Sequence, residues 1–458
     1  MKTLFKILMV ALTLGITSCE KYLNHKTNLK IVIPDRLDDL QALLDAVIYI
    51  NYGYYPGLIE EGADDIYISQ TSFNTLIEFD RDIYLWKDYP LHQNAQINYS
   101  WMWPHRNLLM ANTVLDEIGS IETSEITRRD QIKGAAHFYR AYLFFQMAQV
   151  YCDQYVPGGK NSNLGFPMRL TSDFNEPTVR ASVEQTYRQI IDDLQKALEL
   201  LPENSIVPTR PNKISAAAAL SKVYLIMGDF PTALRYAQQV LKSKYDLLDY
   251  NLLNANADIP IPIFNDEVIY YAFNGSGNII SRSDLLVDST LITYYAENDL
   301  RKQVYLIDNK NGSYGFKGSY TGRNNKSIFI GITVSEIILI EAECLARANQ
   351  VDLALASLNR LLAKRYKEGT FIPYSGLDQE SCMDLILKER RKELLLRGVR
   401  WSDLKRLNRE PKYAKTLRRD MIIDGVNQTF VLPPNDPRYN HIIPEIVIQK
   451  SKIQQNPR

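Results

Sequence analysis

The stretch "AALSKVYLIMGDFPTALRYAQQVL" (Ala218–Leu241) reads as two helices around a Gly-Asp turn, and it has a counterpart in "LIEAECLARANQVDLALASLNRLL" (Leu339–Leu362). At an offset of 121 residues Ser221 faces Ala342, Tyr224 faces Leu345, Ala233 faces Ala354 and Val240 faces Leu361. Each copy has a first helix, a tight Gly-Asp or Asn-Gln turn, and a second helix with a small residue near its start. Small residues at these positions let paired helices approach closely, and the longer apolar side chains fill the space between pairs.

Two further pairs are split by insertions. "GAAHFYRAYLFFQMAQVY" (Gly134–Tyr151) is apolar nearly all round, the mark of a helix buried on most faces. Its partner is "SVEQTYRQIIDDLQKALELLP" (Ser182–Pro202), where Val183, Tyr187, Ile190, Leu194, Ala197 and Leu201 form one stripe and Pro202 stops the helix. "RLDDLQALLDAVIYI" (Arg36–Ile50) pairs in the same way with "RNLLMANTVLDEIG" (Arg106–Gly119). The spacing resembles the tetratricopeptide repeat. The expected fold is mainly α, a helical-repeat scaffold with a loop-rich region containing a few short strands. Insertions at 51–105, 152–178 and 246–331 would build a binding face on one side. The run "EVIYYAF" (Glu267–Phe273) is strand-like, Cys382–Arg397 is an amphipathic helix, and the chain beyond it reads as mostly extended.

Composition excludes several classes. Lys plus Arg equals Asp plus Glu at 53 each, so no global charge recommends nucleic acid or an anionic membrane surface. At the amino terminus Lys2 and Lys6 precede the apolar run Ile7–Ile16, a secretory signal too short to span a bilayer. It ends in "ITSC", which resembles the lipobox of bacterial lipoproteins. Residues 1–18 are then the signal peptide, Cys19 the lipidated residue, 19–35 a tether and 36–458 a single domain. Cys152, Cys344 and Cys382 lie in helical patterns without CxxC spacing and are expected to be buried free thiols. No metal or cofactor is expected.

Seven stretches, taken in order, resemble the SusD/RagB family of outer-membrane nutrient-binding lipoproteins. They are the lipidation site with "YLN" (Tyr22–Asn24); "ANTVLDEI" (Ala111–Ile118); "RAYLFFQMAQVYCDQYVP" (Arg140–Pro157); Ser182–Pro202; "TRPNKISAAAALSKVYLIMGDFPTAL" (Thr209–Leu234); "ILKERRKELLLRGVRWSDLKR" (Ile386–Arg406); and "IIPEIVIQKSKIQQNP" (Ile442–Pro457). The chain departs from the family at Cys152, His105 and Thr333/Val334. The resemblance implies a non-catalytic protein anchored by lipid in the outer membrane and exposed at the cell surface. There it would bind oligosaccharide or polysaccharide and deliver it to a SusC-like TonB-dependent transporter. Capture of peptides or glycopeptides is the alternative within the family, and a periplasmic protein-interaction repeat the alternative outside it. Within "KERRKELLLRGVRWSDLKR", Glu389 and Glu393 one turn apart, with Arg390 and Arg397, read as helical salt bridges, and Trp401 as packing.

Sugar rings present flat C–H faces that aromatic side chains match. Of the chain's 29 tyrosines, seven join Trp86, Trp101 and Trp103 in the excursion 51–105. Trp101 and Trp103 border a helix and read as packing, whereas Tyr84 and Trp86, flanked by charges, read as exposed ligand contacts. Asp64 and Asp65 would accept sugar hydroxyls or cap a turn. Tyr314 and Tyr320 in "NGSYGFKGSY" (Asn311–Tyr320) form a second ligand region. An enzyme is disfavoured: His25, His92, His105, His137 and His441 show no HExxH spacing, and neither GxSxG nor a P-loop occurs.

Overall fold

A computed structural model describes residues 34–51, 58–87, 95–274, 279–280, 283–323 and 327–458; the signal and Cys19 lie outside them. Helix α1 (Leu37–Leu44) packs against α2 (Ala95–Glu117) and α3 (Ile126–Tyr151). From α3 the helices follow one another side by side through α4 (Val183–Leu200), α5 (Lys213–Met227), α6 (Phe230–Leu241) and α7 (Val334–Arg347). Helix α7 in turn packs on α8 (Val351–Leu362) and α9 (Gln379–Glu393), and α10 (Arg400–Leu407) follows. This is the expected mainly helical scaffold.

Local chemistry explains the helix limits. Ser182 and Asn212 cap α4 and α5 with reciprocal side-chain and backbone hydrogen bonds to Gln185 and Ser215. The 121-residue offset pairs Gly228 with Asn349, and both turns pass through the left-handed region, at φ 78° and 57°. Every residue from Gly134 to Tyr151 is buried. A Cβ on Gly134 would come within 2.9 Å of Leu200 Cβ, so glycine sets how closely α3 and α4 approach. The polar side chains of α3 are paired off: His137 and Arg140 both bond to Asp193 of α4, at 2.8 Å. Burial opposes ionisation of Asp193, but those two partners hold its pKa down at about 2.

Above the scaffold, ten short strands pair only two by two among the described residues. They are β1 (Ile66–Tyr67) with β4 (Leu286–Val287), β2 (Val268–Tyr270) with β8 (Ile332–Thr333), and β3 (Phe273–Asn274) with β7 (Ile328–Phe329). The hairpins β5 (Leu306–Asp308)/β6 (Tyr314–Phe316) and β9 (Leu417–Ile423)/β10 (Val426–Leu432) complete the set. With no continuous ladder, side-chain contacts set the shape of this layer. Two expectations are corrected. The excursion 51–105 gives its last eleven residues to α2, which begins at Ala95. The tail is not mostly extended: Asp424-Gly425, with φ 51° and 78°, turns β9 back on β10, and Glu445–Ser451 is helical.

Buried charge joins the two layers. Arg365, after α8, bonds Glu393 of α9 at 2.9 Å and Glu267, beside β2, at 3.0 Å. Arg301 bonds Asp299, Glu389 and Glu393, and Lys392 bonds Asp299 and Glu389. All seven side chains are at most 2% exposed. Among the described residues, Glu389 with Lys392 and Asp403 with Arg406 are pairs along a helix, whereas Arg390 with Asp403, Arg391 with Asp65 and Arg406 with Glu343 are tertiary. Trp401 packs as expected, fully buried and donating from Nε1 to Tyr439 O at 3.0 Å. Lys405 reaches the carbonyls of Gln149 and Cys152 and so caps the C-terminus of α3. Cys152, Cys344 and Cys382 are buried free thiols.

Arg365→Met would leave Glu267 without its cation inside the protein and Glu393 with Arg301 alone. It is expected to cost about 3–5 kcal/mol in urea unfolding, with faster amide exchange in residues 299–308. Two buried acids act in the opposite sense to Asp193. Burial, aided by the charge of Asp65, pushes Glu60 up to about 8, and burial with Asp80 does the same for Glu61. Above the ordinary Glu range the unfolded chain loses these protons while the folded chain keeps them. Stability therefore falls as pH rises toward 8. Glu61→Gln keeps an acceptor for the Ile279 amide, now bound at 3.1 Å. It is expected to raise the thermal midpoint by about a few degrees at pH 8 and to leave it nearly unchanged at pH 4, as read by circular dichroism.

Candidate functional site

The Gly-rich stretch Asn311–Tyr320 is pinned from below. Tyr320 is fully buried, its hydroxyl 2.8 Å from that of Tyr250, which lies 2.8 Å from that of Tyr305. The guanidinium of Arg397 lies 4.3 Å over the Tyr320 ring and 4.6 Å over Phe329. At Gly318 a Cβ would come 2.4 Å from Tyr305 Cδ1, so only glycine lets the chain pass there. With Tyr320 anchored inward, the residues before it are presented outward.

They border a cavity of about 490 Å³ in the loop-rich layer. Its apolar wall is Ile280, Leu285, Ile328 and Leu396, all buried, with half-buried Phe316 beside them. Leu396 belongs to the "KELLLRG" run and sits at φ 53°, so the motif that bonds the layers also supplies the cavity floor. The polar side holds Asn309, Ser319, Lys317, Arg323 and Asp258. Ser319 donates to Ser327 O at 2.8 Å, and Lys317 Nζ to Ala255 O at 2.7 Å. Burial lowers the Lys317 pKa while the charge of Asp258 opposes that shift. An apolar wall, a flat ring and a few fixed polar groups are what a small-molecule site requires.

The structure separates the sequence candidates. Tyr314, in β6 next to the cavity wall, is half-buried, with Lys302 5.9 Å from its ring. Tyr84 and Trp86, expected to be exposed, are 1% and 5% exposed. Arg419 of β9 causes this: its guanidinium lies 3.6 Å over Tyr84 and 4.6 Å over Trp86, and it donates to the carbonyls of Tyr84 and Ala63. Trp86 Nε1 donates to Gly62 O at 2.9 Å. Tyr320, placed in the second ligand region, is instead the anchor beneath it. Asp64 and Asp65 are committed to basic side chains. They are ion-paired to Arg400 at 2.6 Å and Arg391 at 2.7 Å, with Lys415 also on Asp64. Trp101 packs on His105, Tyr151 and Phe166 as expected.

Reading the residues one by one missed Phe316, Arg323 and the apolar wall. Phe316 lay inside a quoted segment, but nothing local distinguishes it from Tyr314 or Tyr320. Ile280, Leu285, Ile328 and Leu396 come together only through the pairing of β3 with β7 and the turn after α9.

Comparison with known proteins accords with this architecture. Residues 21–225 match a SusD-like family described as starch-binding associating with the outer membrane, and residues 293–441 match the SusD family. A SusD-like protein P2 from Formosa agariphila is 25% identical over 422 residues, covering 76% of this chain and 81% of the relative. A SusD superfamily protein from Bacteroides thetaiotaomicron superposes with a TM-score of 0.74 at 22% identity, over 92% of this chain and 100% of the other. A putative sugar binding protein from Bacteroides vulgatus gives 0.72 at 19% identity, over 93% and 99%. A SusD-like carbohydrate binding protein from the same species gives 0.68 at 20%, over 92% and 97%. The fold is shared with these structures over 92–93% of the chain, and with two family matches that between them take in most of its length the chain belongs to the SusD/RagB family.

Proposed function

We propose that this protein holds an oligosaccharide in the cavity of its loop-rich layer and passes it to a SusC-like TonB-dependent transporter in the outer membrane. The observation that carries the reading is the cavity itself, built by the insertion 246–331 and roofed beside the half-buried ring of Phe316 in a chain of the SusD/RagB family. The helical scaffold would dock the transporter, leaving the opposite layer to the sugar. Tyr314 is retained as a contact at the edge of the site, in the place that Tyr84 and Trp86 were expected to fill.

Binding without catalysis fits the lining. Glycoside hydrolysis uses two carboxyl groups across the scissile bond, and Asp258 is the one carboxylate among the described residues that line the cavity. The single domain 36–458 would be carried on the tether 19–35 by acyl chains on Cys19 after removal of residues 1–18. Among the described residues no helix is long and apolar enough to cross a membrane.

Titration calorimetry against a panel of neutral and charged oligosaccharides should identify a ligand. Phe316→Ala is then expected to weaken it by about fivefold, the loss of roughly 1 kcal/mol of aromatic contact. No reducing ends should be released during the incubation. An affinity that Phe316→Ala leaves unchanged removes the cavity as the site. Cys19→Ser is expected to abolish incorporation of labelled palmitate and to move the protein from the membrane fraction to the soluble one. Protease shaving of intact cells should degrade the native protein.

A further inference from the structure

The charged groups of the cavity do not have equal standing. Lys317 is engaged: its ammonium bonds Ala255 O at 2.7 Å, and Asp258 is the charge that acts on it. Arg323 is different. It is exposed, and its guanidinium lies 4.6 Å over the face of Phe273. It donates to the hydroxyl oxygen of Tyr271, which itself donates to Thr321 O at 2.9 Å. Among the described residues no carboxylate forms an ion pair with it.

A guanidinium carries five N–H donors in a rigid fork, and among the described residues Tyr271 is the hydrogen-bond partner of Arg323. Stacking on Phe273 restrains its plane, and less side-chain entropy is then lost when an anion pairs with it. With Lys317 and Asp258 offsetting one another, Arg323 sets the sign of the charge that the described residues present to a ligand. The apolar wall of Ile280, Leu285 and Phe316 stands in the same cavity.

We infer that the cavity selects acidic oligosaccharides, with Arg323 pairing with a carboxylate or sulfate ester on the glycan while the apolar wall receives a sugar face. The inference rests on the cavity being the glycan site. A carboxylate and a sulfate ester offer the guanidinium the same pair of oxygens, and they are separated by the probes below.

The test is calorimetry on the full-length protein with two matched pairs of probes. One pair is tetragalacturonate and its methyl ester; the other is a sulfated galactan tetrasaccharide and its desulfated form. One acidic member is expected to bind at least about tenfold more tightly than its neutral counterpart. The pair that shows the difference tells carboxylate from sulfate. The preference, read as the ratio of affinities within each pair, should weaken between 50 mM and 500 mM salt and fall below about threefold in Arg323→Gln. Equal affinity within both pairs overturns the inference and leaves the glycan site standing. A preference that survives Arg323→Gln also overturns it, because the acid is then read elsewhere. Binding of a tetraglutamate peptide when none of the four glycans binds overturns both this inference and the glycan reading.

Discussion

The arrangement of this protein depends on a cluster of charges that never meets water. Glu267, Asp299, Arg301, Arg365, Glu389, Lys392 and Glu393 come from the loop-rich layer, from the end of one scaffold helix and from another. Apolar side chains of similar volume would hold the layers together at least as tightly. What charge adds is a penalty for misplacement. If the loop layer slid by one residue, several ions would be stranded in a low-dielectric interior, and each stranded ion costs several kcal/mol.

From that cluster the constraint passes upward. Helix α9 supplies Glu389, Lys392 and Glu393 to the cluster, and the turn that follows it supplies Arg397, which lies between Tyr320 and Phe329. Tyr320 shares a hydroxyl chain with Tyr250 and Tyr305, and Tyr250 lies under Arg365 at 4.0 Å. The outward course of the Gly-rich hairpin, and with it Phe316 in the cavity wall, follows from where those rings are held. The same turn provides Leu396 to the cavity floor. A run of charged and apolar residues near the carboxy terminus thus serves both the joint between layers and the cavity, to whose described lining it contributes Leu396 and none of its charged residues.

Much of the scaffold was legible because helices announce themselves locally. Ser182 and Asn212 cap their own helices, and the stripe Val183, Tyr187, Ile190, Leu194, Ala197 and Leu201 is buried as its spacing requires. The hairpin at Asp424-Gly425 is also written locally, in a turn dipeptide between β-forming residues. The site was less legible. Tyr84 and Trp86 sit among charges that suggest a solvated surface, yet Arg419, more than three hundred residues away in the chain, closes over both rings.

The sequence by itself determined the scaffold helices of the repeat, their caps, the left-handed turns at Gly228 and Asn349 and the membership of a family. All of these follow from interactions within a few residues or from motifs in a fixed order. Only the tertiary structure decided which aromatic residues are anchors and which face a cavity. It also decided whether Asp64 and Asp65 meet solvent or Arg391 and Arg400. Burial belongs to long-range partners, and a tyrosine, a tryptophan or an aspartate looks the same in sequence whether an arginine from the far end of the chain covers it or not.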